Sequence, residues 1–508
     1  MRPASDRTMH AIMSNHTSTD HVSTVDGVEV HTAHWINGRW VASADRFEDR
    51  SPIDGSHLAD VAAGGGSEVD AAVAAARAAF PAWAALGPAG RAPILRRFAE
   101  LINEHVDDIA TVESVDNGSL LTGLRHAVIP RAALNISFFA EHALTLGETI
   151  ESPQVSNRVR FDPSGVAALI TPWNAPFMLT TWKVGPALAA GNTIVVKPPE
   201  WAPLTAGLLA QLSAQAGLPD GVLNVVQGIG SSAGAALVAH EDVDRISFTG
   251  STPTARSIGR AAAETLTPVS FELGGKSPFV VLADADLDAA AQTIVAQYMN
   301  AGQVCLSGTR IIVDASIADE LLEKVRAHTA ALVVGDPRQP ATRIGPLIHP
   351  THAARVEGFV ERAKSAGARV LWGGGRDDAG ELYFQPTMFD HVAHDSELFR
   401  SEVFGPVLSW HTVADADEAI AVANDQDYGL AATLFGRDAT RTTYVADRLI
   451  AGTVWVNCYY VRELAAPFGG ARNSGIGREG GTWSFDFFCD VKNVATRHDS
   501  LTTPHTGN

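Results

Sequence analysis

Residues 165–250 decide the fold of this chain. They contain, in order, "GVAALI" (165–170), "NTIVVKP" (192–198), "APLTAGLLAQLSAQAG" (202–217), "VLNVVQG" (222–228), "SSAGAALVAH" (231–240) and "RISFTG" (245–250). Short β-branched runs alternate with longer stretches rich in Ala and Leu, which is the pattern of βαβ units. Crossover helices between buried strands imply a parallel, doubly wound α/β sheet, and such sheets bind ligands at the carboxyl ends of their strands.

The same rhythm restarts further along the chain with "SPFVVL", "DLDAAAQTIVAQYMN" and "TRIIVD", and again with "VLSWHTV", "DEAIAVAND" and "GTVWVN". We therefore expect a second α/β unit over about residues 274–472. A chain of 508 residues is also too long for one hydrophobic core, which agrees with more than one domain.

Composition narrows the class of protein. Lys and Arg number 38 against 57 Asp and Glu, a net charge of −19, and no basic patch interrupts it, which disfavours nucleic acid and anionic membranes as partners. Three cysteines indicate free thiols in a reducing compartment, and no apolar run has the length of a membrane span, so we expect a cytoplasmic protein. Residues 1–33 are polar and predict a disordered tail, whose histidines lack the spacing of a metal site.

Two glycine-rich turns could hold phosphate groups. "GIGSSAG", with Gly230, follows a predicted strand, and "FTGSTPTA" places Gly250 and Ser251 at a helix start, where free N–H groups favour anions. A plain βα turn and an N-cap are the alternatives, but two such turns on successive units favour a nucleotide. In "KPPE", Lys197 and Glu200 could bind a ribose, and the acid would repel a 2′-phosphate, which favours NAD over NADP.

Three residues could carry covalent chemistry. Cys305 lies in "GQVCLSG", where small neighbours give access to a nucleophile, although composition alone favours an inert core thiol. Glu272 lies in the apolar "SFELGGKSP" and is either a general base whose pKa burial raises or an ion-pair partner of Lys276. Asn174, in "TPWNAPF", is an oxyanion donor or only a turn residue.

Eight motifs in order, "TPWNAPF", "KPPE", "FTGST", "FELGGKSP", "GQVC", "EVFGPV", "WVNCY" and "PFGGARNSGIGREGG", resemble the aldehyde dehydrogenase superfamily over residues 34–494. The resemblance implies a dimer or tetramer of three-part subunits. Its parts would be a Rossmann-like NAD domain (34–146 and 163–273), an α/β catalytic domain (274–472) and a small β oligomerisation element (147–162 and 473–500).

The resemblance also implies roles for single residues. Cys305 would be the nucleophile, Asn174 the oxyanion donor together with the Cys305 N–H, and Glu272 the base that activates water against a thioester. The implied NAD contacts are Lys197 and Glu200 at the adenosine ribose, Trp173 and Ser251 near the pyrophosphate, and Glu402 and Phe404 at the nicotinamide riboside.

Within the superfamily, "IPRAALNISFFAEHA" and "VRELAAPFGG" resemble the dehydrogenases of muconate-type semialdehydes. This likeness implies that Arg131 and Arg462 clamp a substrate carboxylate, a pairing that suits the planar guanidinium. The expected apolar walls of the pocket are Phe177, Trp182, Tyr459 and Phe468. If Arg131 is only structural, the substrate is instead a neutral aromatic or aliphatic aldehyde.

The chain departs from the usual family pattern at a few positions. Ala255 stands where a helix glycine is common, and Ala465 stands where some relatives carry a further Arg. At the position of Thr482 many members carry a Glu that is thought to relay protons, so its absence puts such a relay in question in this chain. A CoA-acylating enzyme and a nucleotide-binding protein with a retired active site are less favoured alternatives, because Glu272, Cys305 and Asn174 are all present.

Overall fold

The computed structural model describes residues 21–498. The strands are β1 (Val22–Val25), β2 (Val28–His31), β3 (His34–Ile36), β4 (Arg39–Val41), β5 (Arg46–Arg50), β6 (His57–Ala62), β7 (Glu148–Glu151), β8 (Val155–Pro163), β9 (Val166–Ile170), β10 (Thr193–Lys197), β11 (Leu223–Val225), β12 (Arg245–Gly250), β13 (Val269–Leu273), β14 (Pro278–Val281), β15 (Arg310–Asp314), β16 (Arg369–Trp372), β17 (Thr387–Asp390), β18 (Val407–Val413), β19 (Ala431–Phe435), β20 (Thr453–Val456), β21 (Gly475–Ile476) and β22 (Cys489–Arg497).

The α-helices are α1 (Gly66–Ala85), α2 (Gly87–Glu104), α3 (Val106–Asn117), α4 (Leu121–Gly123), α5 (Ile129–His142), α6 (Pro176–Ala190), α7 (Thr205–Gln215), α8 (Ala235–Ala239), α9 (Thr252–Thr265), α10 (Leu287–Val295), α11 (Ala318–Ala330), α12 (Pro350–Ser365), α13 (Glu397–Arg400), α14 (Ala416–Asn424), α15 (Ala439–Ala446) and α16 (Gly481–Phe488). Two π-helical turns, Leu124–Val128 and Gly230–Gly234, precede α5 and α8.

The larger sheet confirms the α/β fold expected from residues 165–250. Within the described residues its strand order is β21-β13-β12-β9-β10-β11-β3-β4. The five strands from β13 to β11 run parallel, while β3 and β21 pair antiparallel at the two sides. Every residue of β9 and β10 is buried, as expected for central strands that helices cover on both faces.

The second run of βαβ units in the sequence forms a second sheet. Over the part of the chain that the structure describes, its order is β16-β17-β18-β15-β14-β19-β20, and only β16 runs antiparallel to its neighbour. In each sheet the parallel strands present their carboxyl ends to the same edge. Glu272 lies within β13, next to its last residue, and the loop with Cys305 lies at the amino end of β15 in the second sheet.

A small three-stranded sheet joins distant parts of the chain. β22 pairs antiparallel with β8 over its whole length, from Cys489 opposite Pro163 to Arg497 opposite Val155, and β7 covers the other side of β8. The nearby β21 belongs instead to the larger sheet, where it pairs with β13. The domain limits given above stay a prediction.

Part of the expected N-terminal tail is ordered. Residues 1–20 lie outside the described residues, but β1 and β2 form a hairpin, so the prediction of disorder is wrong for residues 22–31. Asp26 and Gly27 both have positive φ (50° and 88°), which is the turn chemistry of a tight hairpin. Val25 and Val30 are buried in the core, and this apolar alternation was obscured by the polar composition around it.

Among residues 21–498, no single helix is both long and apolar enough to cross a membrane. α1 and α2 reach the length and apolar composition of a membrane span only when they are taken together, and their axes are bent by 113° relative to each other.

Candidate active site

A cavity of about 880 Å³ lies between the carboxyl ends of β12 and β13 of the larger sheet and the loops that precede β15, β18 and β19 of the second sheet. It brings together residues that are far apart in the sequence. Those expected from the sequence that line it are Trp173, Asn174, Trp182, Gly250, Ser251, Glu272, Cys305, Glu402, Phe404, Arg462 and Phe468. The rest of the wall is mainly apolar and includes Leu124, Val128, Met178, Leu179 and Tyr460.

Cys305 lies on a tightly turned loop. Asn300 and Ala301 have left-handed φ values of 52° and 54°, and Gly302 follows at 71°. A Cβ at Gly302 would overlap the main chain of Gly405, so only glycine fits there. The thiol is half-buried, and burial together with the negative charge of Glu402 raises its pKa to about 12. The raised pKa favours the uncharged form of the Cys305 thiol at neutral pH.

The Asn174 side chain lies against this loop. Its Nδ2 donates to the main-chain O of Gln303 at 3.0 Å, two residues before Cys305. The Asn300 amide donates in return to the main-chain O of Asn174 at 3.1 Å. Asn174 thus has a fixed position beside the loop with Cys305, with a second N–H on Nδ2 that is free to donate to a ligand oxygen.

Glu272 is a buried carboxyl with no hydrogen-bond partner. It is 5% exposed, and neither carboxyl oxygen has a partner among the described residues. Burial and the neighbouring carboxylate of Glu479 raise its pKa well above the usual range. No ion pair joins it to Lys276, so that alternative is not seen in the described chain. Such a carboxyl can accept a proton near neutral pH.

A buried ionic network lies beside Glu272, and the sequence analysis missed it. The Lys183 Nζ donates to Glu479 at 2.8 Å and to the Ser247 hydroxyl at 2.8 Å, and the Trp182 indole donates to the other oxygen of Glu479. Only the GREGG motif could have pointed to Glu479. Thr482, the position at which many relatives carry a Glu, is exposed, and its hydroxyl lies 3.1 Å from the His142 ring nitrogen.

The predicted ribose-binding pair is in contact. The Lys197 Nζ, at the end of β10, donates to Glu200 at 3.1 Å and to the Pro198 O at 2.7 Å. Burial acts to raise the pKa of Glu200, but the charge of Lys197 and the hydrogen bonds from Lys197 and from main-chain N–H groups, including that of Gly230, together outweigh burial, so the pKa is lowered. Gly230 begins the turn next to this pair. A Cβ there would lie 3.9 Å from Glu200 Oε1, so the space around Gly230 is open to a ligand.

The start of α9 matches a phosphate-binding turn. Ser251 is the N-cap, and its hydroxyl accepts from the Thr254 N–H at 3.3 Å. Gly250 has no room for a side chain because a Cβ would meet the Phe248 ring. Ala255, at the position where the family commonly has glycine, is 2% exposed and packs in the core. Ser251 still occupies the N-cap position with alanine at this site.

Glu402 and Phe404 line the same cavity as Ser251 and Cys305. Glu402 accepts from the Gly275 N–H at 3.1 Å, and burial raises its pKa to about 7. The Phe404 ring meets Trp173 edge-on at 5.3 Å. Arg355 donates to the main-chain O of both Glu402 and Val403, which fixes this segment. The continuous cavity from Ser251 to Cys305, lined by an N-cap, aromatic rings and a carboxyl, fits an extended dinucleotide.

The two arginines of the expected clamp differ in position. Arg462 lines the cavity, with its guanidinium 3.6 Å from the Phe468 ring centroid and 4.9 Å from that of Trp182, and its Nη2 is buried without a partner. Arg131 does not line the cavity, and its Nη1 donates to the main-chain O of Arg462 at 3.1 Å. The expectation that both arginines face one substrate carboxylate therefore needs correction for Arg131.

Two expected wall residues also lie elsewhere. Phe177 is 1% exposed and faces the core, because it starts a helix whose next residues, Met178 and Leu179, turn toward the cavity. Tyr459 packs edge-on against Trp455, whereas Tyr460 reaches the cavity. The one-residue offset reflects the left-handed backbone of Tyr460, which composition does not reveal.

These features define an enzyme class, and comparison with known proteins agrees. A model of the aldehyde dehydrogenase family matches residues 40–494, and the chain belongs to that family.

Among curated relatives, a 2-hydroxymuconic semialdehyde dehydrogenase of Pseudomonas sp. (strain CF600) is 42% identical over 91% of this chain and 99% of its own. A 2-aminomuconic semialdehyde dehydrogenase of Danio rerio is 41% identical over 92% and 98%. Among solved structures, an indole-3-acetaldehyde dehydrogenase in complex with NAD+ is 38% identical, with a TM-score of 0.90 over 92% of this chain and 97% of its own.

Proposed function

We propose that this protein oxidises an aldehyde that carries a carboxylate, of the muconate-semialdehyde type, to the acid, with NAD as the oxidant. The observation that carries the substrate class is the buried, unpartnered Nη2 of Arg462 in the cavity that holds Cys305. Bound NAD supplies the hydride acceptor. The names of the muconic semialdehyde relatives support the same class.

The chain's own groups fit the covalent steps. The Cys305 Sγ bonds to the aldehyde carbon while the thiol proton passes to solvent water, and the carbonyl π electrons move to the carbonyl oxygen, which accepts hydrogen bonds from Asn174 Nδ2 and the Cys305 N–H. Collapse of this adduct restores the C=O bond, releases the C–H pair as hydride and leaves a thioester. Water then attacks the thioester carbon, Glu272 takes a proton from that water, and the thiolate leaves.

Arg462 supports a carboxylate for a physical reason. Its guanidinium is packed between the faces of Trp182 and Phe468, which leaves the edge of the fork free for bidentate contact. A buried donor without a partner costs about 1–3 kcal/mol, and a substrate carboxylate would remove that cost.

An NADH-appearance screen tests the proposal. We expect kcat/KM for an ω-carboxylated aldehyde to exceed that for the n-alkyl aldehyde of equal chain length by ~10-fold or more. Arg462→Met should remove this preference through KM. An equal kcat/KM for the two substrates in the unsubstituted enzyme would refute the carboxylate as the recognised group.

A neutral aromatic aldehyde is the second candidate. The mostly apolar wall, with Leu124, Val128, Met178 and Leu179, favours it, as does the similarity to a protein named for indole-3-acetaldehyde. In that case Arg462→Met would leave kcat/KM for an arylacetaldehyde unchanged or raise it.

We also propose a homodimer or homotetramer in the cytoplasm, with the domain limits predicted from the sequence. Two strands support assembly, because β22 and β20 are edge strands within the described residues and expose Val491 (53%) and Val456 (37%). Three free cysteines support a reducing compartment. Light scattering of the purified protein would test the assembly.

A further inference from the structure

Asn174 belongs to a closed set of three hydrogen bonds with the loop that leads to Cys305. Asn174 Nδ2 donates to the main-chain O of Gln303 at 3.0 Å, and Asn300 Nδ2 donates to the main-chain O of Asn174 at 3.1 Å. The third bond lies within the loop, where the Gln303 N–H donates to the main-chain O of Asn300 at 3.0 Å. Because each residue is bonded to the other two, no member can shift without straining this set.

Asn300 is the member of this set with a left-handed backbone. Its φ and ψ are 52° and 37°, and Ala301 follows at 54° and 33°. Asparagine adopts this conformation more readily than most residues with a side chain, since its short amide can bond locally. The Gln303 side chain also donates to the Asn300 O, at 3.1 Å, and its Oε1 accepts from the Ile348 N–H. The loop is therefore held in this shape by bonds to the protein interior.

The segment before α6, which contains Asn174, has no regular structure, and side chains bond its main chain. Asn117 Nδ2 donates to the Trp173 O at 3.4 Å, and Glu113 Oε2 accepts from the Phe177 N–H at 3.0 Å. Both of these partners belong to α3. The Asn300 side chain, by contrast, joins this segment to the loop with the nucleophile.

Ser119 fixes the direction of the Asn300 amide. Its hydroxyl donates to Asn300 Oδ1 at 3.1 Å, so the Nδ2 end of that amide is turned toward Asn174. The Ser119 N–H in turn donates to Asn117 Oδ1 at 2.9 Å, which anchors the serine on the end of α3. Ser119, Asn174, Asn300 and Cys305 all line the cavity.

From this geometry we infer that Asn300 is a positioning residue for the oxidation step and that the Ser119 hydroxyl orients it. An amide nitrogen carries two N–H bonds in one plane, so the bond from Asn174 to the Gln303 O also sets the direction of the second N–H. Asn300 holds both ends of that bond, one through the Asn174 carbonyl and the other through its own carbonyl. This role rests on the proposed function, because Asn300 acts through Asn174 on the oxyanion formed at Cys305.

A double-mutant cycle separates this role from a general loosening of the loop. The readout is the rate constant of the first turnover of NADH formation, with 5-oxopentanoate or pentanal, whichever the unsubstituted enzyme oxidises faster. We expect Asn174→Ala to lower it ~10²-fold, and Asn300→Gly to lower it ~10-fold because the donor is misplaced. In the Asn174→Ala background, Asn300→Gly should change it less than twofold. Equal effects in both backgrounds would overturn the inference.

A matched control and a conservative variant sharpen the test. Asn37 also has a left-handed φ of 52°, but it is exposed in the turn between β3 and β4, so Asn37→Gly should leave the first turnover unchanged. Ser119→Ala should slow the first turnover ~3-fold, whereas Ser119→Thr, which keeps the hydroxyl, should stay within twofold of the unsubstituted enzyme. Equal losses in the two Ser119 variants would refute the orienting role of the hydroxyl.

Hydrogen exchange gives a readout that needs no substrate. In Asn300→Gly the peptide 171–178, which does not contain the substitution, should exchange ~10-fold faster, while Asn37→Gly should leave its exchange unchanged. Unchanged exchange of this peptide in Asn300→Gly would overturn the inference. If Asn174→Ala keeps the first turnover of the unsubstituted enzyme, the proposed role of Asn174 fails, and the exchange still decides whether Asn300 holds the segment.

Discussion

Lys183 and Glu479 form an ion pair of 2.8 Å that is closed off from solvent, with side chains 0% and 7% exposed. Glu479 raises the pKa of Glu272, whereas Lys183 lowers it. After burial, which is the main cause of the raised pKa, the two members of this pair are the charges that most affect the pH at which the Glu272 carboxyl loses its proton. Its members are 296 residues apart in the sequence, so only the fold brings them together.

Glu479→Gln should shift the acidic limb of the pH profile. The substitution removes a negative charge that raises the pKa of Glu272, so this pKa falls and the deprotonated base is present at lower pH. When hydride transfer to NAD is fast and hydrolysis limits kcat, we expect the acidic limb of the kcat profile to move toward lower pH by about one unit. A limb that moves to higher pH would contradict the electrostatic coupling.

Glu272→Gln should separate acylation from hydrolysis. Because Glu272 is assigned to water activation, the thioester should form and then accumulate. We expect a burst of about one NADH per site, followed by a steady-state rate reduced by ~10²–10⁴-fold. Stopped-flow absorbance at the NADH band measures both phases, with Cys305→Ala as the variant without a burst. Loss of the burst in Glu272→Gln would instead assign Glu272 to the activation of Cys305.

The thiol of Cys305 should respond in opposite directions to two substitutions. Glu402→Gln removes a carboxylate that raises the pKa of Cys305, and Arg462→Met removes a cation that lowers it. At pH 8, above the pKa of about 7 for Glu402, iodoacetamide should modify Cys305 about 3–10-fold faster in Glu402→Gln and more slowly in Arg462→Met. Mass spectrometry of the peptide with Cys305 follows the rate in the cofactor-free enzyme. The same direction for both variants would rule out a charge effect.

Glu200→Gln should relax the choice of cofactor. The Glu200 carboxylate, paired with Lys197 at 3.1 Å, would repel the 2′-phosphate of NADP. We expect the ratio of kcat/KM for NADP to kcat/KM for NAD to rise ~10-fold, and Lys197→Met to weaken both cofactors. The exposed Glu241 offers a control, since Glu241→Gln leaves this pair intact. An unchanged ratio would remove Glu200 from cofactor discrimination.

The buried carboxyl of Asp49 should make stability depend on pH. Burial raises the pKa of Asp49, which is 3% exposed and shares its site with Asp116. The folded state therefore keeps a proton that the unfolded chain releases near pH 4, and the free energy of unfolding falls as the pH rises from about 4 toward neutrality. Asp49→Asn should raise Tm relative to the unsubstituted protein at pH 8 but not at pH 5. The exposed Asp60→Asn is the control, and equal Tm changes at both pH values would contradict this account.

The sequence predicted the fold and much of the cavity because both depend on local patterns. β9, β10 and α7 follow from short-range periodicity, and Cys305, Glu272 and Asn174 occur in recognisable motifs. Their roles stay predictions, but the structure brings them into one cavity.

The structural features that could not be predicted from the sequence depend on tertiary contacts or on single backbone angles. The network of Lys183 and Glu479 requires two distant segments to meet. The direction of Phe177 depends on the phase of α6, and that of Tyr459 on the left-handed conformation of its neighbour. The hairpin of β1 and β2 was hidden by its polar composition.

Helix α6 has a consequence for engineering. From Thr180 to Ala190 it is buried throughout, and Phe177 anchors its first turn in the core, whereas Met178 and Leu179 are partly buried and line the cavity. Met178 also packs against the core, so substitutions confined to these two positions would reshape the space offered to an aldehyde with the least disturbance at Leu179. A small combinatorial library at Met178 and Leu179 is therefore a practical route to new substrates at little cost in folding yield.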